Sequence, residues 1–309
     1  MTIPILIDCD PGHDDAIALL LALASPEVDV LGVTTVAGNQ TLEKTTRNAL
    51  KVLELAGHPE VPVAAGADRP LVRDARVAAE VHGESGMDGP DLPDPGTEPV
   101  DEDAVSFLAR AIGESDEGPT LIPVGPLTNV ARLIEGHPDT ARKLERIVLM
   151  GGAVAEGNVT PAAEFNVWAD PEAAAIVFAS GIDATMVGLD VTHKALVLPE
   201  HAERLRASGR VGGAVADLLE FYGHFHADVY NFPGSPIHDA VAVAHVVRPG
   251  LLEVLERNVE IELESELCRG RTVVDLWRRT DRAPNAKVAV DIDAPAFVEL
   301  LLERLASYG

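Results

Sequence analysis

The chain begins with a short apolar segment, an Asp-rich turn and a longer Ala- and Leu-rich segment. Residues 3–7 are mostly β-branched or aliphatic and lead into a Pro-Gly turn, a pattern that favours a buried strand. Residues 16–24 contain only Ala, Leu and Ile, which favours a helix. The order of strand, turn and helix recurs along the chain. It predicts an α/β fold with a Rossmann-like, open and mostly parallel sheet flanked by helices, and an active site at the C-terminal ends of the strands.

Four carboxylates lie in the turn between the first strand and the first helix. Asp8, Asp10, Asp14 and Asp15 fall within eight residues and repel one another. A hard divalent cation with oxygen ligands would compensate that repulsion. An EF-hand is excluded, because a strand precedes the loop and the loop lacks its Glu at position 12. A purely structural alternative has Asp8 capping the strand and Asp14 or Asp15 capping the helix.

Composition and charge narrow the class of protein. A net charge of −26 over 309 residues argues against a nucleic-acid partner, which requires a basic surface. No apolar segment is long enough to span a bilayer and no signal peptide is recognised, so we expect a cytoplasmic protein without a membrane partner. Two cysteines, Cys9 and Cys268, form neither a disulfide framework nor a metal-ligand pair, and Cys9 is predicted to pack in the core.

Periodicity and turn residues predict the remaining elements. Strands are expected at residues 28–36, 61–65, 120–124, 146–150, 184–189, 253–264, 271–275 and 287–291. Helices are expected at 41–56, 101–112, 199–208, 211–227 and 295–306, with one more that follows His238-Asp239 and ends at 247. The stretch between 65 and 100 lacks periodicity, which is typical of a functional or disordered loop. No low-complexity linker marks a boundary, so residues 1–309 are predicted to form one domain.

Several polar residues lie near predicted strand ends or in loops, and each has a plain structural alternative. Asn39 follows the second strand, at the same rim as Asp10, and would otherwise be a turn residue. His82 lies in the aperiodic stretch, where a lone histidine is usually solvated. Gly125 opens a tight turn that lets the backbone approach a ligand.

Polar residues also recur in the second half of the chain. Asn158, Glu164 and Asn166 are evenly spaced, which would place them on one face of an extended segment. His238-Asp239 alone would be a helix cap. Trp168 is predicted to be a core residue and His193 to be structural.

The segment Asp8-Cys-Asp-Pro-Gly-His-Asp-Asp15 resembles the N-terminal signature of the nucleoside hydrolases, the inosine-uridine preferring N-ribohydrolases. Further segments resemble the same family from end to end, namely Val-Ala-Gly-Asn39, His82-Gly-x-x-Gly, the turn at Gly125, the segment 158–166 and His238-Asp239. The first signature and Asn-Val-Thr-Pro-Ala-Ala-Glu-Phe-Asn166 are most similar to the pyrimidine-preferring branch. The aromatic passage at 224–232 departs from common family patterns, which leaves the base specificity open.

The resemblance implies a calcium-dependent N-glycosidase that hydrolyses ribonucleosides to free base and ribose, with uridine and cytidine favoured over inosine. It implies that Ca²⁺ is held by Asp10, Asp15, Asp239 and the Val124 carbonyl, and that Asp10 also activates the attacking water. The general acid would be His238, or else His82. The implied substrate contacts are Asp14, Asn39, His82, Met150, Asn158, Glu164, Phe165, Asn166, His226, Tyr230 and His238. Family members are usually homodimers or homotetramers.

Two other functions are compatible with parts of the sequence. A haloacid-dehalogenase-like phosphohydrolase also has Asp-x-Asp after an apolar strand, but a Thr or Val usually stands where this chain has Gly12. A noncatalytic nucleoside-binding protein on the same scaffold would bind nucleoside and release no sugar.

Overall fold

The computed structural model describes residues 2–309. Its strands in chain order are β1 (Ile3–Cys9), β2 (Val28–Thr35), β3 (Val63–Ala65), β4 (Thr120–Pro123), β5 (Arg146–Met150), β6 (Ala184–Val187), β7 (Leu196–Val197), β8 (Ser235–Pro236), β9 (Leu252–Arg257), β10 (Val259–Ile261), β11 (Thr272–Val274) and β12 (Ala286–Ile292). Eight of them form the central sheet, while β7 with β8 and β10 with β11 form two antiparallel ribbons outside it.

The central sheet has the strand order β3-β2-β1-β4-β5-β6-β12-β9. Neighbouring strands are parallel, except that β9 is antiparallel to β12. The chain runs outward from β1 to β3 and then returns to β4 on the other side of β1. In open α/β sheets such a reversal opens a crevice at the C-terminal ends of the two central strands, where ligands bind. The predicted fold class is confirmed.

Helices cover both faces of the sheet. They are α1 (His13–Leu23), α2 (Leu42–Ala56), α3 (Ala79–His82), α4 (Ala104–Glu114), α5 (Thr128–Gly136), α6 (Pro138–Ala141), α7 (Phe165–Ala169), α8 (Pro171–Ala179), α9 (Leu189–Thr192), α10 (Pro199–Arg206), α11 (Arg210–Tyr230), α12 (Asp239–Val247) and α13 (Ala294–Ala306), with a 3-10 turn at Pro249–Leu251. Within residues 2–309, no helix combines the length and the apolar character needed to cross a membrane.

Strand β1 lies at the centre of the molecule because both of its faces are buried. Ile5, Ile7 and Cys9 pack into one core with α1, α2, α12 and α13, and Leu6 packs into the other with α4, α5 and α8. These four side chains are fully buried, so the prediction for Cys9 is confirmed. Burying one such aliphatic side chain contributes about 1.5–3 kcal/mol. The Asp-rich turn that follows β1 is therefore attached to a firmly packed strand.

Some predicted boundaries are wrong for identifiable reasons. The strand expected at 253–264 is divided at Asn258, because β9 pairs with β12 whereas β10 pairs with β11. The helix expected from 101 begins at 104, since the Asp103 carboxylate accepts hydrogen bonds from the first free N–H groups. Helix α11 continues to Tyr230 and ends at Asn231 in the left-handed conformation. The aperiodic stretch contains a short helix, α3, which was not predicted.

Candidate active site

A cavity of about 390 Å³ lies at the crevice, lined by residues that follow β1, β2, β4 and β5. Its wall includes most of the predicted site residues, namely Asp14, Asn39, His82, Val124, Met150, Asn158, Glu164, Phe165, Asn166, His226, Tyr230, His238 and Asp239. Asp10 and Asp15 are fully buried and lie behind this wall. The structure thus brings the predicted residues together from distant parts of the chain.

We call Asp10, Asp14, Asp15 and Asp239 the acidic floor of this cavity. Asp14, Asp15 and Asp239 each place a carboxylate oxygen within 4.8 Å of the other two. Asp10 is joined to this group because its backbone N–H donates to Asp15 Oδ1 at 3.0 Å. Asp239 comes from the first turn of α12, more than two hundred residues after the others, and α12 packs directly on α1.

Asn39 and the backbone hold the acidic floor in place. Asp15 Oδ2 accepts from the Gly12 N–H and from Asn39 Nδ2, both at 3.0 Å, so Asp15 also caps α1 as the structural alternative proposed. The Asn39 N–H donates to Asp10 Oδ2 at 2.6 Å. Asp10 Oδ1 is buried and has no hydrogen-bond partner among the described residues. One oxygen of Asp10 is therefore fixed, and the other is left for a ligand.

Two glycines allow the backbone to close around Asp10. A Cβ atom at Gly38 would lie 2.1 Å from Asp10 Oδ2, and one at Gly125 would lie 2.5 Å from Asp10 Oδ1. Both distances are below any tolerated contact, so a larger residue at either position would displace the carboxylate. The glycine of the turn after β4 is thus required by the approach of its backbone to Asp10.

Burial raises the pKa of every carboxylate in the acidic floor, and repulsion between neighbouring charges adds to the rise at Asp10, Asp14 and Asp239. Burial is the main cause for Asp10, and the neighbouring charge of Asp15 adds to it. The pKa of Asp14 rises to about 8 for the same two reasons. The pKa values of Asp15 and Asp239 are also raised by burial. Four carboxyl groups that cannot all ionise together without a compensating charge form an arrangement that fits a divalent cation.

Asp8 is held by two side chains, and its Oδ2, like Asp10 Oδ1, has no hydrogen-bond partner among the described residues. Its Oδ1 accepts from Thr34 Oγ1 at 2.6 Å and from Asn129 Nδ2 at 2.8 Å. Burial raises its pKa to about 6, and these two hydrogen bonds limit the rise. Asp8 thus ties β1 to β2 and α5 beneath the cavity.

Glu164 forms one side of the cavity and is 2% exposed. Its carboxylate caps α7 by accepting from the Asn166 N–H at 2.8 Å and the Val167 N–H at 3.1 Å. It also accepts from the Gly152 N–H at 2.8 Å. Burial raises the pKa of Glu164 to about 7, although these backbone donors favour the ionised form.

The extended segment expected around Asn158, Glu164 and Asn166 is wrong. Residues 158–160 turn back on the Ala163 carbonyl, and α7 begins at Phe165 because Glu164 caps it. Asn158 Oδ1 accepts from the Phe165 N–H at 2.9 Å. Asn166 Nδ2 donates to the Val124 carbonyl at 2.8 Å, and that carbonyl oxygen keeps a second lone pair. A turn and a cap, not strand alternation, bring these side chains to one wall.

The opposite wall, which we call the roof, consists of residues 79–89 and the C-terminal half of α11. Along α11, Tyr222, His226 and Tyr230 follow one another at intervals of four, so they share one face of the helix. The Tyr222 and His226 rings lie 4.3 Å apart, and Tyr230 stacks on His226 at 5.8 Å. Tyr222 was not among the predicted site residues, although the helical spacing back from His226 would have indicated it.

His13 attaches residues 79–89 to α1. Its Nε2 lies 2.9 Å from the Asp88 carbonyl, so this nitrogen carries the hydrogen and Nδ1 is an acceptor when the ring is neutral. His82 Nδ1 lies 3.1 Å from that acceptor and 3.4 Å from the His13 backbone nitrogen, so it either donates to the His13 ring or accepts from the His13 N–H. His13 also stacks on Phe221 with ring centroids 5.0 Å apart. No role was predicted for His13 from the sequence, and only its contacts in the structure indicate one.

Four buried histidines of the roof and its surroundings, His13, His82, His226 and His238, are neutral near pH 7. Burial lowers the pKa of His13 and of His226 to about 4. The pKa values of His82 and His238 are also lowered well below the usual range, again chiefly by burial. His238 Nδ1 lies 2.8 Å from the Thr192 hydroxyl, which is able to donate or accept. When this hydroxyl donates, Nε2 of a neutral His238 carries the ring hydrogen.

Two residues predicted to be structural also line the cavity. Trp168 is only half-buried and forms part of the wall, because α7 points it outward from the Glu164 cap. His193 lies on the wall beside Tyr230 and His238, with ring centroids 5.9 and 5.6 Å away. The predictions that Trp168 is a core residue and that His193 is only structural are therefore corrected.

Comparison with known proteins agrees with this geometry. The family model described as inosine-uridine preferring nucleoside hydrolase matches residues 5–299. A pyrimidine-specific ribonucleoside hydrolase RihA of Citrobacter koseri is 53% identical over the full length of both chains. The chain belongs to the nucleoside hydrolase family. A RihA of Escherichia coli is 52% identical, again over the full length of both chains.

Solved structures of nucleoside hydrolases share the whole fold. A purine-preferring ribonucleoside hydrolase from Gardnerella vaginalis has a TM-score of 0.93 at 35% identity and covers 99% of this chain and 98% of its own. The present nucleoside hydrolase is thus an N-glycosidase that hydrolyses ribonucleosides to base and ribose, and the phosphohydrolase alternative is set aside. Nucleoside hydrolases are metal-dependent, and Asp14, Asp15 and Asp239 of the acidic floor lie close enough together to hold a metal ion.

Proposed function

We propose that this nucleoside hydrolase is calcium-dependent and prefers the pyrimidine nucleosides uridine and cytidine. The observation that carries the proposal is the acidic floor, four buried carboxylates from two packed helices and the turn after β1. Two of them, Asp14 and Asp239, line a cavity with polar groups on one side and aromatic rings on the other. The pyrimidine preference is supported by the sequence similarity to the RihA relatives. The fold gives no such support, because a purine-preferring relative shares it.

Asp10, Asp15, Asp239 and the Val124 carbonyl would hold the Ca²⁺. All four offer oxygen ligands, as Ca²⁺ prefers. The unpartnered Oδ1 of Asp10 supports this assignment, and the Val124 carbonyl has a lone pair beyond its bond to Asn166. When bound, the cation would lower the pKa of its coordinated water and would compensate the negative charge of the acidic floor.

Asp10 would accept the proton of the attacking water at Oδ1. Its carboxylate is aimed by the Asn39 N–H at the other oxygen, so the accepting atom does not have to be oriented during the reaction.

Asp14, Asn39, Asn158, Glu164 and Asn166 would hold the ribose. Asp14 and Glu164 would bring negative charge to the ring while its anomeric carbon becomes positive, which stabilises an oxocarbenium-like transition state. Their hydroxyl contacts also select the sugar, because a buried carboxylate or amide left without a partner costs about 1–3 kcal/mol.

The base would lie between the roof and the segment that contains Met150 and Phe165. His82, His226 and Tyr230 would contact it, and His238 would protonate it as it leaves. With the Thr192 hydroxyl donating to Nδ1, His238 carries its hydrogen on Nε2, and Thr192 thereby sets the tautomer that donation requires. Burial holds the pKa of His238 low, so proton transfer would occur as negative charge develops on the base.

A reducing-sugar assay over uridine, cytidine, inosine, adenosine and guanosine tests this proposal. We expect the highest kcat/KM for uridine and cytidine, loss of activity after dialysis against a calcium chelator, and recovery on addition of Ca²⁺ rather than Mg²⁺. Equal rates on inosine and uridine would contradict the pyrimidine preference. Full activity in the chelated protein would contradict the calcium requirement. Nucleoside binding without sugar release would indicate a noncatalytic binding protein.

We further propose one domain over residues 1–309, a cytoplasmic location and a homodimer or homotetramer. The family match over residues 5–299 and the full-length match to the relatives support the first of these. Size-exclusion chromatography with light scattering tests the last, and a monomer at micromolar concentration would contradict it.

A further inference from the structure

The Glu164 carboxylate is held by two separate elements of the fold. The first turn of α7 supplies two of its donors, the N–H groups of Asn166 and Val167. A third donor, the Gly152 N–H at 2.8 Å, comes from outside α7. Gly152 belongs to the turn that follows β5. The direction of this third hydrogen bond therefore depends on what holds that turn.

Thr272, the first residue of β11, holds this turn through its hydroxyl group. Thr272 Oγ1 donates to the Ala153 carbonyl at 2.6 Å and accepts from the Ala153 N–H at 2.8 Å. The Thr272 side chain is 2% exposed, so water has little access to either bond. One buried hydroxyl thus binds both backbone groups of the residue that follows Gly152.

The peptide group between Gly152 and Ala153 is held from both sides. Its N–H donates to Thr272, and its carbonyl accepts from the Leu189 N–H at 3.0 Å. The φ angle of Gly152 is +72°, and a Cβ atom at this position would lie 2.6 Å from Thr272 Cγ2. Only glycine fits this close approach. The preceding peptide group, which carries the N–H that donates to Glu164, is thereby aimed at the carboxylate.

The ribbon of β10 and β11 is a firm support for Thr272. Asn285 Oδ1 accepts from the Val259 N–H at 2.8 Å, and Asn285 Nδ2 donates to the Val259 and Phe178 carbonyls at 2.9 and 3.1 Å, which ties β10 to α8. The ribbon also approaches α7, since a Cβ atom at Gly270 would lie 2.8 Å from Trp168 Cα. The ribbon therefore contacts both elements that bind the Glu164 carboxylate.

We propose that Thr272 is a positioning residue for Glu164, and that it maintains the selection of the ribose hydroxyl that Glu164 contacts. The inference rests on the proposed function, in which Glu164 is a ribose contact. A site that binds a substrate hydroxyl rejects the analogue that lacks it, provided that the binding group is held in place. Thr272 does not line the active-site cavity, so its effect on the nucleoside passes through Gly152 and Glu164.

Competition between uridine and its 2′-, 3′- or 5′-deoxy analogue in one mixture tests the proposal. Chromatography of the remaining nucleosides gives the ratio of the two kcat/KM values, which we call the discrimination factor. This factor does not depend on the fraction of folded enzyme, so a loss of stability alone leaves it unchanged. Glu164→Gln should lower it most for one analogue, and this analogue identifies the hydroxyl that Glu164 contacts.

Thr272→Val keeps the shape of the side chain and removes both hydrogen bonds. It should lower the discrimination factor for the same analogue by about threefold to tenfold, as expected for the loss of one or two hydrogen bonds. Thr272→Ser should stay within about twofold of the parent protein, because it retains the hydroxyl. Thr272→Ala is a second variant without the hydroxyl, and it keeps the test valid if Thr272→Val does not fold.

Thr280→Val is the matched control. It removes an exposed hydroxyl in the loop after β11 that donates to Asp275 at 2.7 Å, and it should change no discrimination factor. If Glu164→Gln lowers a factor but the Thr272 variants without a hydroxyl do not, the inference is wrong and the proposed function stands. If Glu164→Gln lowers none, the ribose contact of the proposed function is wrong, and the inference is overturned with it.

Discussion

The acidic floor and the roof face the same cavity but are held in different ways. The floor belongs to a strand buried on both faces and to the first turns of two packed helices, and its carboxylates are fixed by backbone N–H groups and Asn39. Residues 79–89 of the roof are attached mainly by side chains. His13 contacts His82 and the Asp88 carbonyl, and residues 83–85 accept hydrogen bonds from Gln40, Lys44 and Asn48. This difference indicates that the sheet positions the reacting atoms. The residues proposed to contact the base are instead held by individual side-chain contacts, each of which a single substitution can remove.

The largest expected effect tests the floor. Asp10→Asn keeps the shape and the contact with the Asn39 N–H but removes the base, so kcat should fall by about a thousandfold or more while nucleoside affinity changes little. Steady-state kinetics on uridine and equilibrium binding of a nonhydrolysed nucleoside analogue measure the two quantities. Exposed Asp139→Asn serves as the control. Near-normal turnover in Asp10→Asn would remove Asp10 from the mechanism.

A substitution at the boundary between floor and roof should have a smaller and substrate-dependent effect. His238→Ala removes the proposed acid, so kcat on uridine should fall by about 10²–10⁴. An activated aryl riboside, whose leaving group does not need a proton, should be cleaved almost normally. Thr192→Val should reproduce part of the loss of kcat on uridine, because without the hydroxyl nothing holds His238 in the tautomer that carries its hydrogen on Nε2. Equal losses on both substrates would argue against proton donation by His238.

Loosening the roof should affect binding more than chemistry. His13→Phe keeps the stacking on Phe221 but loses both hydrogen bonds to residues 79–89, so we expect the KM for uridine to rise by roughly tenfold and kcat to change less. Amide hydrogen exchange should become faster at residues 79–89 and remain unchanged in β1. A fall in kcat without a change in KM or in exchange would place His13 in the chemistry instead.

The smallest effect concerns pH and stability, where His226 of the roof and Glu164 of the side wall act in opposite directions. Burial lowers the pKa of His226 to about 4, so the unfolded chain binds the extra proton between pH 6.5 and 4, and stability is lost as pH falls through that window. Burial raises the pKa of Glu164 to about 7, so the folded protein binds the extra proton between pH 4.5 and 7. The contribution of Glu164 to the free energy of unfolding is therefore lost as pH rises through that window.

His226→Asn tests the roof contribution, because its amide retains a donor for the Tyr222 carbonyl. Between pH 7 and 5 this variant should lose about 1–2 kcal/mol less of its free energy of unfolding than the parent protein. Denaturant unfolding at the two pH values measures the difference. An unchanged pH dependence would mean that His226 titrates normally in the folded protein.

The sequence allows the floor to be predicted better than the roof. The positions of Asp10, Asp14 and Asp15 can be predicted because they lie between one strand and the first turn of one helix, and the family resemblance adds Asp239. Whether these four residues come together then depends only on the order of the strands. The roof depends on tertiary contacts that leave no local signal, such as the contact of His13 with His82. The segment with Asn158 and Asn166 shows the same limit, since a cap at Glu164 overrides the even spacing. The prediction that Trp168 is a core residue is wrong for the same reason, since Trp168 belongs to the helix that Glu164 caps.

The double burial of β1 also bears on how this enzyme could be altered. Ile5 and Ile7 touch one core, Leu6 the other, and the catalytic turn is their direct continuation. A change of side-chain volume at these positions would therefore be transmitted to Asp10 without any substitution near the substrate. Variants selected for altered turnover would for that reason be found deep inside the molecule as well as around the nucleoside.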